Sequence, residues 1–152
     1  MSPQIMETLL GRSLIAHQRA LLINPQEGHF TRHPVRQQVY PGLVYHGKND
    51  NEKAKTLSQS VEGVLFHDLS PQDMSRLDWY EESDYARKPA RVQLLDGEPQ
   101  EIETQTYVWI SPLQLLDLEK EWSYQEFLDQ HFDAYMLRTV QPCAMEIKRL
   151  GM

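Results

Sequence analysis

Residues 61–92, VEGVLFHDLSPQDMSRLDWYEESDYARKPARV, admit few folds, because the hydrophobic period changes twice within one short stretch. The run Val61-Glu62-Gly63-Val64-Leu65-Phe66 has the length and apolar content of a buried strand, and a central place in a sheet is expected for it. It ends at His67-Asp68-Leu69. Ser70 then stands as an N-cap, with Pro71 at the first helical position and Asp73 three residues after the cap, near the positive end of the helix dipole. Met74, Leu77, Trp79 and Tyr80 continue at helical spacing, and the helix runs out in Glu81-Glu82-Ser83-Asp84. Three carboxylates at the negative end of a dipole are each unfavourable by a few tenths to about 1 kcal/mol, which points to one acid held there for a reason other than stability. A second strand follows, ending at Val92 or soon after.

The length, 152 residues, suits one domain spanning 1–152, with residues 111–152 as its C-terminal helical extension. A formal charge of -7, from 15 Lys+Arg against 22 Asp+Glu, argues against a nucleic-acid partner, which requires a basic face. The single Cys143 excludes an internal disulfide and a multi-thiolate metal site, and favours a reducing compartment. The N-terminal MSPQIMETLLGRS has no basic segment ahead of an apolar core, and no apolar run approaches the ~20 residues of a membrane span. A cytoplasmic protein without a membrane partner is expected.

Ser2, Pro3 and Gly11 frame a short amphipathic helix carrying Ile5, Met6, Leu9 and Leu10. Residues 13–23, with Leu14, Ala16 and Leu22 interleaved among polar residues, predict a strand that stops at Asn24-Pro25-Gln26-Glu27-Gly28 and forms a hairpin with residues 29–33. Pro34, Pro41 and Gly42 punctuate a loop-rich region in which only Leu43-Val44-Tyr45 is extended, and the polar residues 47–55 read as a solvated loop. Residues 90–94 and 101–109 alternate around Asp96-Gly97 as a hairpin that Ser111-Pro112 ends. Ser123 and Glu126 form a capping box for a last helix repeating through Phe127, Leu128, His131, Phe132, Tyr135 and Met136, expected to pack on the sheet or close its open end. His29 and His33 have metal-ligand spacing for a helix, but Pro34 makes a helix unfavourable there, so no metal site is expected. Ser13, Ser58 and Ser83 lack a glycine elbow, so no serine nucleophile is expected either. Together these elements make a small α+β domain, expected as a partly closed barrel.

Val-x-Gly-x-Leu-Phe, Leu-Ser-x-x-Asp-Met-x-x-Leu-Asp-x-Tyr-Glu and Tyr-x-Arg, at Val61 to Arg87, resemble the γ-glutamylcyclotransferase-like family, which includes avirulence-induced plant proteins and γ-glutamylamine cyclotransferases. The resemblance extends through Arg32-His33-Pro34-Val35, Val39-Tyr40-Pro41-Gly42 and Tyr107-Val108-Trp109, and covers roughly residues 1–110. It implies a small mixed β-barrel with short helices, a catalytic glutamate at Glu81, and release of 5-oxoproline from a small γ-glutamyl amine or peptide without a cofactor. Tyr40, Pro41, Gly42 and Tyr85 are the implied substrate-binding residues; Tyr40, Gly42 and Tyr85 are candidate oxyanion donors, and Trp79, Tyr80 and Tyr85 a candidate apolar wall around Glu81. Two departures stand out. The family usually has Gly where this chain has Glu82, and its members begin with a strand ending Tyr-Gly-Thr-Leu or Tyr-Gly-Ser-Leu, whose following Met corresponds to Met1. Read from the residues alone, Glu81 is one acid of three on a solvated helix end, and Tyr40 and Tyr85 serve either a pocket or packing. The readings left open are an active cyclotransferase, a shortened inactive member acting as a binding protein, and a chain whose start lies further upstream. Unpaired strand edges make homo-oligomerisation an expectation in the shortened case.

Overall fold

The structure is a computed structural model that describes residues 1–47 and 60–152; the predicted polar loop from 48 onward and Ser58 lie outside the described residues. In chain order the elements are α1 (Pro3–Leu10), β1 (His17–Leu22), β2 (Gly28–Pro34), β3 (Pro41–Gly47), β4 (Glu62–Phe66), α2 (Pro71–Glu81), β5 (Tyr85–Leu94), β6 (Glu101–Trp109), α3 (Tyr124–Gln130), α4 (Phe132–Tyr135), a π-helical turn (Met136–Val140) and α5 (Gln141–Arg149). Short 3₁₀ turns join α2 to β5 at Glu82–Asp84 and follow β6 at Leu113–Leu115.

The strands form two antiparallel sheets, one of four strands in the order β4-β1-β5-β6 and one of two, β2-β3. The longest ladder joins β5 and β6 from Tyr85↔Trp109 to Gln93↔Glu101, around the Asp96-Gly97 turn where Gly97 takes φ 83°. Its alternation was the clearest strand signal in the sequence, and the turn supplies the φ that glycine adopts without penalty. Pro89 is tolerated within β5 because β1 pairs with β5 only at Val92–Leu94, so the strand has one neighbour there.

Several expectations are corrected. Strand β4 lies at the sheet edge, where β1 is its pairing partner among the described residues; Glu62 and Gly63 are exposed, while Leu65 joins Ala20, Val92 and Leu94 on one face and Phe66 packs against the helical core on the other. The hairpin between β1 and β2 does not form. Residues 23–28 carry the chain from one sheet to the other, Asn24 Oδ1 accepts from Phe30 N at 2.9 Å, and β2 pairs with β3. Strand β1 begins only at His17, because Leu14 is 92% exposed at φ 59° and reverses the chain ahead of it. Within the segment read as loop-rich, the extended piece at Leu43–Tyr45 lengthens into β3, which pairs with β2 from Gly28↔Gly47 to Pro34↔Pro41, and residues 36–40 form the turn between them. Buried polar bonds pin the two strands: Thr31 Oγ1 lies 2.7 Å from both His33 Nε2 and His46 Nε2, and His33 Nδ1 donates to the Lys120 carbonyl at 2.7 Å. His33 is thereby a buried structural partner on a strand.

Both N-terminal helix signals hold. Ser2 Oγ accepts from Ile5 N, and Gly11 closes α1 at φ 67°. In α2 the Ser70–Asp73 capping box is complete, and Asp73 also takes Arg12 Nη2 at 2.8 Å, tying α2 to the end of α1. The last helix differs from expectation in its course and its partner. It breaks at His131, widens into the π turn ahead of Pro142, and packs Val140 and Ile147 against Ile5, Met6, Leu9, Leu10 and Leu77 of α1 and α2. The π turn relieves the clash of the Pro142 ring with the preceding turn, letting the helix continue where an α-helix would kink. The outcome is a mixed α+β molecule: a curled antiparallel half-barrel with a helical layer packed on its own core.

Candidate active site

Helix α2 ends on three acids, and the backbone treats them differently. Asp84 turns back into the scaffold: Ser111 Oγ donates to its Oδ1 at 2.6 Å, and its carbonyl accepts Ile110 N at 2.8 Å. Glu82 is exposed, and its backbone takes φ 55°, ψ -153° to turn the chain from α2 into β5. Glu81 is half-buried, and its charge acts on Tyr80, Tyr85, Tyr107 and Tyr135.

The direction of Glu81 is set by motif residues on either side. Asp78, one turn earlier, accepts Tyr107 Oη at 2.6 Å and Arg87 Nη2 at 3.1 Å, so β6 and β5 each clamp the last turn of α2. Tyr85 donates to the Pro41 carbonyl at 2.6 Å and stacks edge-on to Trp109 at 5.3 Å. That bond joins the start of β5 to the start of β3, and hence the Tyr-x-Arg motif to the Tyr-Pro-Gly motif. Gly42 fits where the two sheets approach: a Cβ there would stand 2.8 Å from Leu116 Cδ2 and 3.2 Å from the Trp109 ring. Tyr85 lies within electrostatic reach of both Glu81 and Tyr40, Pro41 contributes its carbonyl to Tyr85, and Gly42 faces Leu116 and Trp109. Trp79 packs with the helical core.

Burial raises the Glu81 carboxyl to about 7; the amino group of Met1 opposes that shift and the Asp78 charge adds to it. The same apolar surroundings push the Tyr80, Tyr85 and Tyr107 phenols above their ordinary range, with the Glu81 charge adding to each. Tyr135 rises to about 12, by burial first, although its bond with Tyr80 lowers it. A carboxyl poised near neutrality within reach of phenolic donors suits proton transfer between two nitrogens.

Two sets of contacts went unseen in the sequence. Tyr135 was legible only as part of a helical repeat, yet its hydroxyl meets that of Tyr80 and its ring lies 6.4 Å from Tyr40. Asp78 and Tyr107, 29 residues apart, meet only across the fold. A groove of about 540 Å³ lies elsewhere, between the 34–39 turn and residues 117–131. Glu81 is not among its walls, which carry Arg36, Asp117, Lys120, Glu121, Glu126 and His131.

Comparison with known proteins decides the family. The family model described as gamma-glutamyl cyclotransferase, AIG2-like, matches residues 3–126. The chain belongs to that family. AIG2-like protein D of Arabidopsis thaliana is 26% identical over 110 residues, 72% of this chain and 65% of the relative, so the match spans just under two thirds of that protein. AIG2-like protein C of the same plant is 25% identical over 137 residues, 90% of this chain and 69% of the relative. Solution structures of two Arabidopsis thaliana proteins share the fold, at TM-scores of 0.60 and 0.57 and identities of 20% and 21%, each over 90% of this chain and over 72% and 79% of theirs. Within this AIG2-like γ-glutamyl cyclotransferase family the resemblance read at Val61–Arg87 and the half-barrel fold agree. Among the described residues no helix is long and apolar enough to cross a membrane.

Proposed function

We propose that this chain is a γ-glutamylcyclotransferase that releases 5-oxoproline from a small γ-glutamyl amine, with Glu81 as its general acid and base. The carrying observation is that Glu81, the acid that the resemblance puts at the catalytic position, is half-buried in surroundings that raise it to about 7. In the substrate the α-amine attacks its own γ-carbonyl, forming the lactam C–N bond while the carbonyl π pair moves to oxygen. Glu81 takes a proton from the attacking nitrogen. As the carbonyl re-forms, the bond to the leaving amine breaks and Glu81 returns the proton to that nitrogen. Atoms and electrons balance within one molecule, so the step requires neither oxidant nor cofactor. Tyr40, Pro41, Gly42 and Tyr85 are the proposed substrate-binding residues: the Tyr40 ring and the Tyr85–Pro41 bond frame the space beside Glu81.

The test is 5-oxoproline release from a panel of γ-glutamyl amines. Glu81→Gln keeps the shape and removes the base, and should lower the rate about a hundredfold or more, whereas Glu82→Gln and Asp84→Asn should change it only a few-fold. The pH profile should rise through an apparent pKa near 7, that of the ionising Glu81. Unimpaired turnover in Glu81→Gln, or no release from any panel member by the parent, overturns the reading; in the second case retained binding would favour a binding protein.

A further inference from the structure

Four phenols lie close enough to Glu81 for its charge to act on them, and their protons are not equally committed. Tyr85 donates to the Pro41 carbonyl and Tyr107 to Asp78. Tyr80 and Tyr135 share one short hydroxyl–hydroxyl bond, which uses one of their two protons. The other has no acceptor among the described residues. Tyr80 and Tyr135 are half-buried, so the second proton is free to meet a ligand oxygen and would stabilise it there.

Placement assigns that proton to Tyr135. Its ring faces Tyr40 at 6.4 Å and rests edge-on against Phe127 at 5.4 Å, so the phenol is held on two sides. Tyr80 and Tyr135 both pack against the helical core, but of the two it is Tyr135 whose ring reaches Tyr40 among the described residues. The charges that act on Tyr135 include Glu81 and Tyr40, and Tyr135 in turn acts on Tyr85, whereas the Tyr40 phenol is influenced by Asp84 and Glu82. The backbone shows how a core helix delivers a polar group here. Residues five apart on an unbroken α-helix point about 140° away from each other, but the π turn at Met136–Val140 brings Tyr135 toward the face that buries Val140. Tyr135 also lies beyond residue 126, where the family match ends.

We propose that Tyr135 is a catalytic residue of the Glu81 site, its hydroxyl donating to the γ-carbonyl oxygen of a bound γ-glutamyl amine as that oxygen becomes an oxyanion, and that Tyr80 is the positioning residue that holds it. This rests on the cyclotransferase reading. No proton is transferred: the Tyr135 O–H bond stays intact, its hydrogen bond strengthens as charge develops on the oxygen, and the bond relaxes when the carbonyl re-forms.

The test compares two variants that break the same hydrogen bond. Tyr135→Phe keeps both ring contacts and should lower kcat about a hundredfold, the usual worth of one oxyanion donor, with KM within about threefold. Tyr80→Phe leaves the donor in place but unheld, and should cost no more than about tenfold, again in kcat. A purely structural bond would move both alike, so melting curves of the two variants should be similar while their kcat values differ. Equal losses, a larger loss in Tyr80→Phe, or a Tyr135→Phe rate within threefold of the parent would overturn the assignment. If that happens while Glu81→Gln abolishes turnover, the cyclotransferase reading stands without Tyr135; if the parent turns over nothing, both fall together.

Discussion

At Glu81 stability and chemistry pull in opposite directions. Its folded pKa, about 7, lies above the ordinary value of 4.5, so the folded state binds this proton more tightly than the unfolded chain does. The stability tied to this group is therefore fully present below pH 4.5, falls as the pH rises toward 7, and is flat above. The loss is about 3 kcal/mol, at roughly 1.4 kcal/mol per pKa unit. Glu81→Gln, which carries no charge at any pH, should be more stable than the parent at pH 8 by up to about 3 kcal/mol, with the gap closing near pH 4. Urea unfolding at several pH values measures this. A gap that stayed constant between pH 4 and 8 would show that Glu81 is not dehydrated. The sequence reached the neighbourhood of this residue through the misplaced acids at a helix end, but which acid would be dehydrated was not legible in composition. That choice is made by Ser111 holding Asp84 and by the Arg87–Asp78–Tyr107 clamp, both of which join residues distant in sequence.

The junction between α2 and β5 shows how a departure from family pattern is felt by an element. Glu82 caps α2 at φ 55°, ψ -153°, a region that glycine occupies freely and other residues only under strain of about 1–3 kcal/mol. The helix must end there, and the chain must reverse into Tyr85 within three residues, so the backbone cannot relax without moving Glu81. Glu82→Gly should relieve the strain, offset in part by about 0.5–1 kcal/mol of added unfolded-state entropy. A net gain of about 1–2 kcal/mol is expected, visible as a rise of a few degrees in melting temperature. Glu82→Ala, which keeps the Cβ, should gain little. A glycine variant no more stable than the alanine variant would mean that this junction is not strained. Elements closed by local chemistry, such as α1 between Ser2 and Gly11, the Ser70–Asp73 box and the Asp96-Gly97 hairpin, were legible from sequence because their signals are a few residues long. The pairing of β2 with β3 and the edge position of β4 were not, because each depends on which sheet a connecting segment reaches.

For the molecule as a whole, the question is where the domain ends. The family match stops at residue 126, but the core does not: Phe127, Val140 and Ile147 are all buried in the same cluster as Ile5, Leu9 and Leu77. Fully burying side chains of this kind contributes about 1.5–3 kcal/mol each, so these three alone supply about 5–9 kcal/mol, comparable with the entire stability of an ordinary domain. A chain ending at residue 126 should therefore fail to unfold cooperatively, and it would also lose Tyr135 from beside Glu81. The outer face of the same helical segment offers the control. Leu137 and Met145 are 65% and 73% exposed, and lysine at either should change stability by no more than about 0.5 kcal/mol. Calorimetry of the shortened chain and the two lysine variants separates a helix that completes the core from one that merely rests on it. A cooperative melt of the 1–126 chain near the parent's temperature would place the C-terminal helix outside the folding unit, and Tyr135 would then need another element to hold it in the site.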